Sequence, residues 1–269
     1  MASDKPLPQA DLGHVYEHAP MRELQGSRIF VNGLGWFGGW IKDCLDAHGL
    51  KPVGRGRKDN YPQPHFGQFD FAIHAASSGL KEFLDYCEDT GIKRSLYISS
   101  GAIYHGDDAY AYDKRRDEKM CGEHPANPVI ARCYAFVGPR QKLDAQWAVG
   151  NFLADALAGR DIRVKSDGTA LRSYMHMADL VAWLLTLLVQ GKQGKPYNVG
   201  SDEAVTIADL ALRVARFTGA KVVIEGKRDA INGYAHYVPS SFNAQMQLNL
   251  QTHIRLNDAL ARTWAWLQQ

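Results

Sequence analysis

The chain is poor in cysteine, and none of its cysteines are paired by spacing. It has four, Cys44, Cys87, Cys121 and Cys133, with no Cys-x-x-Cys among them. That argues against a zinc ribbon or a redox dithiol. Cys121 and His124 lie close, but no second ligand pair accompanies them, so no metal is expected. No long hydrophobic run is present either. The longest, Leu180 to Val189, is too short to cross a bilayer. The opening stretch "MASDKPLPQADLGHVYEHAP" lacks the apolar core of a signal peptide. The cysteines are therefore expected to be reduced thiols of a cytoplasmic protein. Charge of one sign is also missing. Formal net charge is +2, with no basic block, which leaves nucleic-acid binding through a broad electrostatic face without support. What remains is a globular composition, 45% apolar and 22% charged over 269 residues, enough for a substantial core.

Short apolar runs alternate with helical stretches. "RIFVNG", "KPVGRGR", "FDFAIHAAS", "RSLYISS" and "NPVIARCYAFVGP" read as strands. Between them "LGWFGGWIKDCLDAHGL", "GLKEFLDYCEDTG" and "YDKRRDEKMCGE" read as helices. This alternation predicts βαβ units and a Rossmann-type, doubly wound parallel sheet in the α/β class. The pattern changes after Arg140. The expected organisation is an N-terminal arm over 1–27, with helical periodicity from Asp11 to Leu24. A dinucleotide-binding domain follows over 28–145, then a smaller, mainly substrate-binding portion over 146–269. Residues 175–200 are expected to return to the first domain.

"VNGLGWFGGW" sets Gly33, Gly35 and Gly38 at G-x-G-x-x-G spacing, with Trp36 and Phe37 inside it, directly after a strand and at a helix start. The first glycine permits the tight turn and the second lets a pyrophosphate approach. The third lets the helix pack closely, so that its N-terminal N–H groups meet the phosphates. At the end of the second strand a ribose-binding acid would select NAD, whereas an arginine suits a 2′-phosphate. "VGRGRKD" presents Arg55 and Arg57, with no acid before Asp59. NADP(H) is thus favoured and NAD(H) remains possible. Two solvated surface arginines are the plain alternative.

"SSGAIYHGDDAYAYDK" places Tyr110 and Lys114 four apart after a serine pair. Spacing alone leaves open whether they form a proton-transfer pair or merely share a helix face. The ordered set of glycine loop, "FAIHAAS", "YISSGAIY", Tyr110-x-x-x-Lys114, "ARCYAFVGPR" and "LRSYMHMADL" resembles the extended short-chain dehydrogenase/reductases. Within them it is closest to the NAD(P)-dependent nucleotide-sugar epimerase/dehydratase branch, from about residue 28 onward. The resemblance implies that Tyr110 is the acid/base, Lys114 the ammonium that lowers its pKa and holds the nicotinamide ribose, and Ser100 the partner of the substrate oxygen. It places Ala75, Ala76 and Ser77 against the cofactor. It makes Tyr104 structural and leaves Tyr112, with no lysine four residues on, as the weaker candidate.

For the substrate, the resemblance implies a nucleotide-diphosphate sugar, gripped by Arg172, with Arg140 and Arg228 as further contacts. Asp179 reads as a helix cap or structural residue, and Trp147 and Phe152 as core at helical spacing. Two departures stand out. Nine residues separate Ser100 from Tyr110, fewer than the branch carries, which suggests a more open site. Ala135 stands where the branch has asparagine. Gly101 and Ala102 follow Ser100, so the acid pair of 4,6-dehydratases is missing. Gly101 and Arg140 likewise replace the cysteine and histidine of 3,5-epimerase/reductases. A 4-keto-sugar nucleotide reductase is the favoured expectation. An NAD-dependent 4-epimerase is the alternative, and a non-catalytic dinucleotide sensor the second. The resemblance also implies a homodimer.

Overall fold

The computed structural model describes residues 5–65, 67–104, 106, 108–143, 147–227 and 235–269. The arm holds two helices, α1 (Gln9–His18) and α2 (Met21–Leu24), where the sequence predicts a single helical stretch. Pro20 is the reason. A residue before proline is pushed out of the helical region, and Ala19 is extended at φ −96°, ψ 159°.

The chain then enters the main sheet. β1 (Ile29–Asn32) leads into α3 (Trp36–Ala47) and β2 (Val53–Arg55). β3 (Phe71–His74), α4 (Leu80–Asp89), β4 (Arg94–Ser100), α5 (Ala109–Glu123) and β5 (Val129–Cys133) follow. β6 (Phe136–Val137), α6 (Ala148–Leu157), β7 (Ile162–Val164), β8 (Leu171–Arg172) and β9 (Met175–His176) lead away from it. α7 (Met177–Gln190) and β10 (Pro196–Val199) bring the chain back. The last elements are β11 (Val205–Thr206), α8 (Ile207–Thr218), β12 (Val222–Ile224), β13 (His236–Tyr237), α9 (Phe242–Leu248) and α10 (Leu256–Gln268).

Six strands form the central sheet in the order β10-β5-β4-β3-β1-β2, all parallel. Parallel strands covered on both faces need continuous apolar runs, and β1 is buried throughout. Successive residues serve opposite faces. Ile29 and Val31 join the core under α1, α3 and α7, and Phe30 joins the core under α4. Residues 56–70 contain no strand or helix among the described residues. The chain therefore crosses from β2 to β3 without adding a strand beyond β2. β1 has β2 on one side and β3 on the other, which makes the carboxyl end of β1 the point where strand order reverses. Ligands of doubly wound sheets bind at this point. No helix among the described residues is long and apolar enough to cross a membrane.

Buried charges tie the arm to the body. Asp179 is 1% exposed; one of its oxygens bonds His14 Nε2 at 2.7 Å, and the other accepts from the Ile254 amide at 2.9 Å. Asp11, equally buried, accepts from Arg262 at 2.9 Å. The cap of α7 is not Asp179 but His176, whose Nδ1 accepts from the Ala178 amide. Burial lowers the His176 pKa to about 4 and the His74 pKa to about 3, the latter with help from the Lys114 and Arg55 charges. Both rings are neutral in the fold, while in the unfolded chain each binds a proton near pH 6.5. Stability is therefore at its fullest above pH 6.5 and falls as pH drops toward 4, by up to about 1.4 kcal/mol per pH unit for each histidine. Urea unfolding at pH 7 and pH 5 checks this. Equal stability at the two values would show that neither histidine is buried neutral.

Candidate functional site

β1 delivers the chain to Gly33 at φ +100°. A Cβ at Gly33 would stand 2.4 Å from the Ala76 amide nitrogen, and one at Gly38 would stand 1.9 Å from the Gly33 carbonyl oxygen. Neither position can hold a side chain without moving backbone. Gly35 differs: a Cβ there would meet no protein atom within 4 Å. Gly35 is also the N-cap of α3 and supplies no side-chain acceptor. The first turn of α3 thus keeps uncapped amides beside open space, which suits an anionic group. Trp36 and Phe37 from that turn, and Ala75, Ala76 and Ser77 after β3, line one end of a cleft of about 700 Å³. Trp36 is held by an indole hydrogen bond to the Pro139 carbonyl at 2.8 Å.

Ser100, Tyr110 and Lys114 line the same cleft. Ser100 ends β4 and is 6% exposed; its hydroxyl accepts from the Ala102 amide at 3.2 Å. Asp108 starts α5 by accepting from the Ala111 amide at 2.8 Å, which sets Tyr110 in the first turn and Lys114 one turn on. Four-residue spacing puts both on one helix face. Tyr110 is 54% exposed and Lys114 is 7% exposed, with the ammonium 5.9 Å from the centre of the Tyr110 ring. Burial pulls the Lys114 pKa down, against nearby acidic groups that raise it. Tyr112 is exposed and lies outside the cleft lining. Tyr104 bonds Arg132 and Asn198. Gly101 packs on Tyr134, and a Cβ there would stand 2.5 Å from that ring. An acid at this position would have to displace an aromatic side chain.

At the far end of the cleft Arg172 donates to the Leu171 and Ala235 carbonyls at 2.8 and 3.0 Å, with its guanidinium 6.0 Å from the Tyr237 ring centre. Arg140 is not there. It forms an ion pair with Asp43 at 2.6 Å and donates to the Lys5 carbonyl at 3.0 and 3.1 Å, which ties it to α3 and the arm. Arg228 lies outside the described residues. Phe152 is core, but Trp147 is not: it is 51% exposed, lines the cleft and stacks at 6.4 Å from Trp36. The helical spacing fails for Trp147 because α6 begins only at Ala148, leaving Trp147 in extended backbone before the first turn.

Arg57 is exposed, and Asp59 turns back to accept from the Gly56 amide at 2.7 Å. Arg55 is half-buried. It donates to Asn32 Oδ1 at 2.8 Å and lies 4.2 Å over the Tyr61 ring; Asn32 in turn donates to His74 Nδ1 at 2.8 Å. This polar layer, formed by residues distant in sequence, gives no local signal. The same holds for Tyr237. Its hydroxyl shares a hydrogen bond with Ser100, and burial raises its pKa, so it enters the cleft as a neutral phenol.

A family model described as the NAD dependent epimerase/dehydratase family matches residues 72–200. UDP-glucuronic acid decarboxylase 6 of Arabidopsis thaliana is 29% identical over 138 residues, 51% of this chain and 40% of that protein. The chain thus matches less than half the length of that curated relative. Two of the solved structures that share the fold illustrate the likeness. The Bordetella bronchiseptica enzyme WbmF, in complex with NADH, superposes with a TM-score of 0.78 at 17% identity, over 91% of this chain and 93% of its own. RMD from Pseudomonas aeruginosa, complexed with NADPH, gives 0.73 at 20% identity, over 88% and 97%.

Proposed function

We propose that the chain, whose residues 72–200 match the model of the NAD dependent epimerase/dehydratase family, moves a hydride to or from a carbon of a nucleotide-diphosphate sugar, as the reductase of a 4-keto sugar. One observation carries the reading: Trp36 and Phe37, at the uncapped start of α3 directly after the glycine turn, line the same cleft as Ser100, Tyr110 and Lys114. Gly33, Gly35 and Gly38 make room for a nicotinamide dinucleotide, with Trp36, Phe37, Ala75, Ala76 and Ser77 around it. When bound, that cofactor supplies the hydride donor or acceptor. Tyr110 holds the proton at the sugar oxygen, and Ser100 with Tyr237 directs hydrogen bonds to the same oxygen. The Lys114 ammonium stabilises the Tyr110 phenolate once the proton has left. Gly101 leaves no acid to remove water, which argues against dehydration.

Arg55 and Arg57 support NADP(H), and with it reduction, because guanidinium forks match a 2′-phosphate. A second reading, the NAD-retaining 4-epimerase, draws on the same residues. Arg55 is already engaged by Asn32 and Tyr61, which leaves fewer of its N–H groups for a phosphate. Fluorescence titration with NADPH and NADH separates the two. Tighter NADPH binding, lost in the Arg55→Ala, Arg57→Ala double variant, supports the reductase; equal binding supports the epimerase. Arg172→Ala should weaken UDP binding at least tenfold, as loss of a charged hydrogen bond is worth about 1.5–3 kcal/mol. If the wild-type protein binds free sugars as well as UDP-sugars, the nucleotide-sugar reading fails.

A further inference from the structure

The Lys114 ammonium donates to the Tyr97 hydroxyl at 2.9 Å and to the Ile98 carbonyl at 3.4 Å, and neither acceptor carries charge. A buried cation with only neutral partners is costly. The hydrogen bonds continue, however. Tyr97, fully buried in β4, donates to Asp117 Oδ2 at 2.9 Å. Asp117 lies three residues beyond Lys114 on α5, 17% exposed, with Arg116 at 3.6 Å from its other oxygen. An unbroken path therefore runs from the cleft-lining lysine through a buried phenol to a carboxylate that water can reach.

The other groups around Lys114 offset its charge less than Asp117 does. From β3 it faces His74, from β5 Cys133, from β4 Tyr97, and from its own helix Tyr110, Asp117, Glu118 and Cys121. His74 is neutral, with a pKa near 3. Burial raises the thiols of Cys121 and Cys133 and the phenol of Tyr97, so these too stay uncharged at neutral pH. Glu118 is already paired with Arg132 at 2.6 Å and also accepts from Ser99 at 2.5 Å. Asp117 is the anion joined to Lys114 through Tyr97, and it is the largest influence opposing burial at Lys114.

We infer that Tyr97 and Asp117 are positioning residues for Lys114, holding its ammonium toward the cleft and keeping it charged there. The inference rests on the reading that Lys114 contacts the cofactor. A carboxylate near a buried ammonium favours its charged form, commonly by about one pH unit or more. Removing the carboxylate should let Lys114 lose its proton at lower pH. Cofactor affinity that depends on the ammonium then disappears at lower pH.

The test is fluorescence titration with NADPH and NADH from pH 6 to pH 10, following whichever binds more tightly. In the wild type, affinity should fall on the alkaline side. Asp117→Asn should move that fall about one pH unit lower while the protein still folds at pH 7, and Asp117→Glu should restore it. Tyr97→Phe should act in the same direction; should it fail to fold, the Asp117 pair still decides. Lys114→Met should weaken binding and remove the alkaline fall. If the fall stays in place in Asp117→Asn, or Glu does not restore it, the inference is overturned and the reading of Lys114 stands. If Lys114→Met binds cofactor like the wild type, both are overturned.

Discussion

Tyr110→Phe should lower NAD(P)H-linked turnover of a nucleotide sugar by about 10²–10⁴-fold, the usual worth of a placed acid/base. The melting temperature should not change, because the lost hydroxyl belongs to a half-exposed ring at the cleft wall. Cofactor affinity should also survive, since phenylalanine keeps the ring near Lys114. The three readouts together separate a chemical role from a structural one. A variant that folds, binds cofactor and turns over at near-normal rate would rule out Tyr110 as the acid/base. It would leave Tyr237, a cleft-lining phenol that shares a hydrogen bond with Ser100, as the group to test next.

Substitutions in the glycine turn should split stability from binding. Gly38→Ala puts a methyl 1.9 Å from the Gly33 carbonyl. The turn must move, at a cost of about 1–3 kcal/mol in stability, and the anion-binding amides move with it. Gly35→Ala places its methyl where no protein atom lies within 4 Å, and the extended backbone at that residue, φ −75°, is acceptable to alanine. The empty space there is the space a pyrophosphate would enter. Gly35→Ala should therefore melt like the wild type yet bind NADPH or NADH more weakly by tenfold or more, about 1.4 kcal/mol per tenfold. Calorimetric melts and cofactor titration on both variants check the pair. Unchanged cofactor affinity in Gly35→Ala would mean that no dinucleotide lies across this turn.

Features set by neighbours in the chain are legible in the sequence. A parallel sheet declares itself in short apolar runs, because strands buried on both faces admit no polar alternation. The glycine turn is legible because its steric demands fall within six consecutive residues, Gly33 to Gly38. Tyr110 and Lys114 share a face because four residues make about one helical turn. Pro20 also speaks locally, and its break in the arm could have been taken from the sequence.

Other features depend on where distant segments meet. Arg140 keeps the sequence position of a substrate contact, but Asp43 and the Lys5 carbonyl, from α3 and the arm, draw its guanidinium away from the cleft. Trp147 has the spacing of a core residue, yet the start of α6 falls one residue too late to turn it inward. Arg55 reads as a free cation until Asn32 and Tyr61 are seen against it. Tyr97 reads as an ordinary strand aromatic, and its hydroxyl acquires meaning only between Lys114 and Asp117. Tyr237 lies more than 130 positions from the serine it bonds. Chain-local rules set backbone conformation and the face on which a side chain emerges. Which charge it meets there is decided by packing between elements far apart in the chain, and that the tertiary fold alone determines.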